Sequence, residues 1–192
     1  YGGVIPDEVN LGMLVKLRDK VKYLYSKELS IISGGNSSSL HLLLKGKIPK
    51  GINHLRIGEA IALGRETAYG EAIDGLYNDT SILKAQIIEL KNKKSVPEGK
   101  LGKNAFGKVP TFVDRGKRRR AILAVGRQDI VPEGLTPLDP NIIVIGASSD
   151  HLILDVTDSD QPYKIGDVIE FNMDYGCLLA AMTSEYVEKC YV

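Results

Sequence analysis

His54, Arg56 and Glu59 stand within six residues of one another in INHLRIGEA, a run whose alternating apolar residues read as a strand ending at Gly58. A titratable base, a fixed cation and a carboxylate at a strand end suit either proton transfer or the holding of an anion. Arginine stays protonated at any working pH, histidine titrates near neutrality, and a glycine lets backbone N–H groups close on a ligand. If the alternation holds, His54 and Arg56 share one strand face. Taken alone, the segment has an ordinary explanation in an ion pair from Arg56 to Glu59 or to an aspartate, since an unpaired buried guanidinium is costly. His41, within LHLLL, reads as a packing residue, and His151 suits either packing or chemistry.

A second place for chemistry is SIISGGNSSSL, a short β-branched run, two glycines and a polar cluster that opens a helix. First-turn N–H groups and the helix dipole favour an anion such as phosphate. Asn36 and Ser37 serve equally as phosphate ligands or as plain helix caps, and no Walker lysine follows them. Two glycine-bearing strand ends in succession give the pair more weight, because the carboxyl edge of parallel strands is where barrel active sites gather.

The elements that must position these residues fall into two halves. Pro6 and Asp7 open an amphipathic helix carrying Leu11, Leu14, Val21 and Leu24. LSII is a short strand, SLHLLLKG a helix closed by Gly46, and INHLRI the next strand, an order that resembles βα units of a parallel sheet. From about Leu76 the pattern changes to ILKAQIIELK, RAILAVG, NIIVIG, HLILDVTD and DVIEFN, short strand-like runs with no clear helix among them. The expected organisation is therefore an α/β part over 1–78 and a mostly-β domain over 79–192. Within the second, NKKSVPEGKLGKNAFGKVP is expected to be irregular, and the basic run Lys117 to Arg120 to lie on a solvated strand end.

The chain has 192 residues, 43% of them hydrophobic, enough for a sizeable core in one or two domains. Its net charge of +1 gives no global pull toward nucleic acid or a membrane surface. Charge is nonetheless segregated, with eleven basic and two acidic residues over 91–120 against three basic and twelve acidic over 121–192. Such opposed blocks suit solvated faces or a subunit contact. Cys177 and Cys190 lack the spacing of a zinc site, which makes a reduced, cytoplasmic setting the expectation. No apolar run is long enough to cross a membrane and no signal layout is present. The chain opens at Tyr1 without methionine and reads as though it begins inside a loop, as a processed chain or fragment would.

The combination of ISGGNSSSL, INHLRIGEAIALGRETAYG, VGRQD and GASSDHLILDVTD resembles the alanine/ornithine racemase family of pyridoxal-phosphate enzymes, the ornithine racemase branch more than ordinary alanine racemases. The resemblance runs over essentially the whole chain. It implies the C-terminal portion of a cofactor-binding α/β (TIM-like) barrel over 1–78, followed by a β domain over 79–192. It implies pyridoxal 5'-phosphate as cofactor, an amino acid as small-molecule substrate, a homodimer, and neither nucleic acid nor membrane as partner. Asn36 and Ser37 match the residues that precede the phosphate-holding helix. Gly58 and Glu59 match the turn that supplies backbone N–H groups, and Arg56 matches the arginine facing the pyridine nitrogen. His54 would bond the cofactor ring, Arg56 or a core carbonyl, with the last two preferred, and Tyr191 vaguely matches a C-terminal tyrosine that touches the phosphate.

In the β domain, AVGRQD occupies the place where alanine racemases carry a catalytic tyrosine, and Arg127 stands at that position. A guanidinium is a poor general base. Either Asp129, Asp150 or His151 transfers the proton, or Arg127 holds the substrate carboxylate. Ser149 and Asp150, in SSD, match the segment that borders the substrate pocket, usually from the partner subunit. Asp129, Asp150 and Glu59 are also candidates to hold a distal ammonium group.

The lysine that holds the cofactor covalently lies, in this family, upstream of the segment that Tyr1 opens. The reading is therefore a portion of a two-base amino-acid racemase, inactive without the N-terminal half of the barrel. The alternatives are a non-catalytic cofactor-binding or dimerisation module, and a pyridoxal-phosphate decarboxylase, for which an acid is expected at the Arg56 position.

Overall fold

The computed structural model describes residues 3–102, 107, 109 and 111–191. The chain forms two compact units, Tyr1–Thr80 and Ser81–Val192. In the first, α1 (Glu8–Tyr25) begins at Asp7, whose carboxylate accepts the Asn10 amide at 2.6 Å while the Asn10 side chain accepts the Asp7 amide at 3.0 Å. This reciprocal cap satisfies two of the N–H groups that every helix start leaves without partners. The helix ends at Ser26 in the left-handed region, with its amide on the Lys22 carbonyl. Only Leu11 of α1 is buried, and Leu14 and Leu17 border a hollow of about 180 Å³ with Leu29, Ile31, Ile32 and Ser33.

A 3₁₀ turn over Ser37–Ser39 leads into α2 (Leu40–Leu44), and α3 spans Glu59–Leu63. LSII and INHLRI do not form full strands. They meet as a parallel bridge between Ser33 and His54, with hydrogen bonds from the Asn53 amide to Ile32, the Gly34 amide to His54 and the Arg56 amide to Gly35. The expected pairing is present, but the extended segments are short, and parallel strands owe their stability to cover by neighbours on each side. The loop after α3 is organised by Glu66, which is 1% exposed and accepts the amides of Ala68, Tyr69 and Glu71. His41 packs edge-on against Tyr69, ring centroids 5.3 Å apart, and its Nδ1 meets the Ser38 carbonyl at 2.7 Å.

The second unit is a six-stranded antiparallel sheet made of β1 (Ile82–Lys94), β2 (Lys117–Leu123), β3 (Leu135–Pro137), β4 (Ile143–Ala147), β5 (Leu152–Asp155) and β6 (Val168–Met173). Its strand order is β3-β6-β1-β2-β5-β4, and the two end strands approach each other, so the sheet curls nearly closed. Alternation aims Leu83, Ala85 and Ile87 of β1, Ala121 and Leu123 of β2, Leu152 and Leu154 of β5, and Ile169 and Phe171 of β6 into one core. α4 (Tyr175–Thr183) adds Cys177 and Ala181 to that core.

Three expectations are corrected here. α4 is a helix in the half read as strands alone; its sequence, YGCLLAAMT, has no polar stripe to reveal a helical period, and its start depends on Asp174, whose carboxylate caps the Cys177 amide at 2.7 Å. The segment expected to be irregular instead begins inside β1, because Asn92, Lys93 and Lys94 pair with Arg119, Arg118 and Lys117. Lys103, Asn104, Ala105, Phe106, Lys108 and Pro110 of that segment lie outside the described residues. Of the run Lys117 to Arg120, expected on a solvated strand end, Lys117 is exposed but the three arginines are half-buried. Arg118 reaches the buried Asp155 at 2.8 Å and also pairs with Asp158, Arg119 donates to the Tyr163 carbonyl at 2.6 Å, and the Nε of Arg120 is buried without a partner among the described residues. Carboxylates from β5 and the turn beyond it hold the Arg118 guanidinium, and a backbone carbonyl holds that of Arg119.

Candidate active site

The first cluster forms where the parallel bridge ends. Ser33 puts its hydroxyl between two candidates, since Arg56 Nη1 donates to Ser33 Oγ and His54 Nδ1 lies 3.1 Å from the same oxygen. His54 and Arg56 therefore share one face, as the alternation requires, and both are exposed. Their link runs through Ser33, a residue the sequence reading passed over. Only the pairing of 33 with 54 reveals it.

Beyond Ser33, Gly35 adopts φ +106, a conformation open to glycine, and the chain turns into the polar cluster. Asn36 caps the 3₁₀ turn, its side-chain oxygen accepting the Ser38 amide at 3.0 Å and the Ser38 hydroxyl at 2.7 Å. Ser39 ties the cluster back to the Gly34 carbonyl at 2.6 Å. Ser37 is 2% exposed and accepts the amide of Ala60, the second residue of α3, at 3.1 Å. That one bond fixes the Asn36–Ser37 turn against the Gly58–Glu59 turn. Ser37 is the first residue of the 3₁₀ turn and Gly58 is the N-cap of α3, the end of a helix where backbone N–H groups have no intrahelical partner. The first unit thus holds together Asn36, Ser37, His54, Arg56, Gly58 and the half-buried Glu59, with two amide donors to offer an anion.

The second cluster lies in the β unit and joins 126–133 to 147–151. The Arg127 amide donates to the Ser148 carbonyl at 2.9 Å and the Gln128 amide to the Ser149 carbonyl at 3.0 Å. Gly126 presses on the same backbone, since a Cβ there would stand 2.2 Å from the Ser149 oxygen. The Arg127 guanidinium grips Glu133 with both terminal nitrogens, at 3.1 and 2.5 Å, and its Nε reaches the Ala147 carbonyl at 3.3 Å. Ser149 donates to Asp150 at 2.5 Å, the Ser148 hydroxyl accepts the His151 amide at 3.1 Å, and the side chains of Asp150 and His151 face solvent.

Asp129 belongs to the same turn but has a different surrounding. It is 4% exposed, one oxygen accepts the Ser184 hydroxyl at 2.7 Å, and the other faces the Gly126 amide at 3.4 Å. It ties the turn to the end of α4. Tyr191 is 86% exposed. Glu133 was not among the sequence candidates; it sits in the 3₁₀ turn Pro132–Gly134, and nothing in its local pattern sets it apart.

Over 98% of its length the chain is 53% identical to ornithine racemase of Acetoanaerobium sticklandii, across 189 residues. It is 49% identical to lysine racemase of Thermotoga maritima over 191 residues, its full length in rounded terms. The likeness is to racemases of ornithine and of lysine, and it runs over nearly the whole of this chain. The chain spans 54% of the length of each of those two relatives. A family profile described as "Putative serine dehydratase domain" matches residues 108–188. Among solved structures, alanine racemase from Bartonella henselae with covalently bound pyridoxal phosphate aligns with a TM-score of 0.55 at 17% identity, covering 88% of this chain and 44% of that one. D-threonine aldolase from Filomicrobium marinum aligns with a TM-score of 0.54 at 14% identity, covering 92% and 43%. At these identities the likeness is one of fold: α/β elements followed by the curled β domain. Among the described residues no helix is long and apolar enough to cross a membrane.

Proposed function

We propose that the chain is the C-terminal portion of a pyridoxal-phosphate-dependent amino-acid racemase that acts on a basic amino acid by two-base exchange of the α-proton. In this reading, 1–78 belongs to the cofactor-binding barrel and 79–192 is the family's β domain. The observation that carries it is Arg56, held by Ser33 beside two turns that the Ser37–Ala60 bond fixes together. Amide donors of Ser37 and Gly58, with Asn36 holding the turn, fit a phosphate group, and Arg56 supplies a fixed cation close by. Pyridoxal phosphate, when bound, supplies an electron sink for the pair left behind as an α-proton departs. Arg56 would keep a bound cofactor's ring nitrogen unprotonated, because a neighbouring guanidinium disfavours a second positive charge there, and a weaker electron sink would favour prompt return of the proton.

Exposed apolar side chains in the first unit support a larger barrel. Ile31, Leu44 and Ile61 are 66, 62 and 68% exposed, positions a neighbouring barrel segment would cover. In the β domain, Asp150 and His151 are the open groups for proton transfer or for binding a distal ammonium. Asp129, buried and bonded on both oxygens, is a structural residue in this reading. A homodimer in which Ser149 and Asp150 border the substrate pocket completes the proposal, with the protein working in the cytoplasm.

The test is a chiral assay of ornithine, lysine and alanine with the product of the complete reading frame, run beside the 192-residue chain. The expected result is racemisation of ornithine or lysine by the first and none by the second. Release of carbon dioxide in place of racemisation points to a decarboxylase, and cofactor uptake without turnover points to a binding module. In the active protein, Arg56→Glu is expected to shift the cofactor's visible absorbance and lower kcat, whereas an unchanged spectrum removes Arg56 from the ring.

A further inference from the structure

Arg127 stands where a substrate carboxylate hook or a proton-transfer group is expected, yet its hydrogen-bonding directions are largely committed. A guanidinium has five N–H donors arranged as forks, and a two-point grip on a carboxylate needs one whole fork. Glu133 takes a donor from each terminal nitrogen, at 3.1 and 2.5 Å. The Nε donor of the adjacent fork goes to the Ala147 carbonyl at 3.3 Å. Both fork types therefore have a donor in use within the protein. A third link runs through the backbone to the residue after Ala147, from the Arg127 amide to the Ser148 carbonyl at 2.9 Å.

Glu133 is itself well supported. Pro132 and Gly134, on either side of it, are buried. Gly134 packs under the Asp174 cap of α4, where a Cβ would lie 2.1 Å from the Asp174 carboxylate, and its carbonyl accepts the Asp174 amide at 2.8 Å. The Arg127 side chain is 30% exposed and that of Glu133 is 65% exposed. An ordinary surface pair of that exposure contributes little, but a two-point arginine–carboxylate geometry on a fixed turn is the kind that holds its orientation.

We propose that Glu133 is a positioning residue that acts through Arg127. The pair is a bracket from the Pro132–Gly134 turn to Ala147, and it sets where the Ser148–His151 segment stands. Arg127 is then neither the carboxylate hook nor the second base. Its charge is spent within the protein, and the segment it steadies carries the open groups, Asp150 and His151. The inference rests on the racemase reading for its effect on catalysis but not for the bracket itself.

Two readouts on the full-length holoenzyme separate those parts. Hydrogen exchange reads the bracket: in Glu133→Ala the amides of Arg127 and Gln128, which bond Ser148 and Ser149, are expected to exchange about tenfold faster than in the unsubstituted protein, with Glu133→Asp between the two. Unchanged exchange overturns the bracket whether or not the enzyme turns over. Kinetics read the consequence: Glu133→Ala and Arg127→Met are each expected to lower kcat by roughly tenfold to a hundredfold with KM within about threefold, and the double variant to be no worse than either single one. A KM that rises a hundredfold in Arg127→Met while Glu133→Ala is unaffected would make Arg127 the substrate hook and overturn the proposal. Full activity in Glu133→Ala overturns it as well. Thermal unfolding of each variant separates loss of position from loss of fold. A full-length protein that shows the exchange effect but racemises nothing sinks the racemase reading and leaves the bracket standing.

Discussion

Gly126 lies so close to Ser149 that a Cβ built on it would stand 2.2 Å from the Ser149 carbonyl oxygen and 2.4 Å from its carbonyl carbon. Backbone cannot yield as a flexible side chain can, so the contact fixes how near the 126–128 turn comes to the 148–151 segment. Gly126→Ala is expected to cost about 2 kcal/mol or more, in the manner of an overpacked core, and to push Asp150 and His151 out of place. Chemical denaturation measures the first effect. A midpoint within error of the unsubstituted protein would contradict the close packing.

Glu66 is a buried carboxylate that accepts the amides of Ala68, Tyr69 and Glu71. Burial pushes its pKa up, but the three amide bonds and the charge of His41 outweigh that, and the net displacement from 4.5 is downward. A depressed folded-state pKa contributes stability that is fully present above the unfolded value near 4.5 and lost as pH falls through the folded value. Glu66→Gln, which offers one acceptor oxygen to three amides, is expected to cost about 2 kcal/mol at pH 7 and to flatten the acid limb of the stability curve. Denaturation midpoints between pH 3 and 7 check both.

Asp155 is 1% exposed and receives Arg118 at 2.8 Å, together with the Thr157 amide and hydroxyl at 3.1 and 2.6 Å. Burial raises its pKa, while the Thr157 hydroxyl, Arg118 and the Thr157 amide together lower it further, and the net shift from 3.8 is downward. By the same sign, its contribution is whole above about pH 3.8 and fades as pH falls through the depressed value. Asp155→Asn is expected to cost about 2 kcal/mol at pH 7. Arg118→Met is expected to raise the pKa of Asp155 toward the ordinary range, a change that side-chain carboxyl NMR titration reads directly.

Cys177 and Cys190 are free thiols with opposite surroundings, the first buried and the second exposed. Burial is the largest influence on the Cys177 thiol and pushes it up to about 11. Since the thiolate is the reactive form, a thiol reagent at pH 8 is expected to modify Cys190 promptly and Cys177 only after denaturant is added. Mass spectrometry of labelled peptides gives the order; early labelling of Cys177 would contradict its place on the core-facing side of α4.

The sequence by itself determined the local features that a period or a cap can carry. Pro6 and Asp7 announce α1, alternation announces β1, β2, β4, β5 and β6, and the parity of 54 and 56 puts His54 and Arg56 on one face. These signals survive because each depends on neighbours only a few positions away. The helix α4 and the three-residue β3 left no such mark, since one is apolar all round and the other is too short to alternate. The chemistry of the site was legible as residue types, through the motifs shared with the racemase family, but not as partnerships. That Ser33 receives Arg56, that Ser37 joins two turns, that Arg127 is taken by Glu133 and that Asp129 is buried under Ser184 are decisions of the tertiary structure. Each bond except that of Arg127 with Glu133 spans more than twenty residues of chain, and the Arg127 fork is committed only because β4 brings Ala147 to its other side. Local spacing fixes which groups are available, and only the closure of distant segments fixes which of them remain free to act.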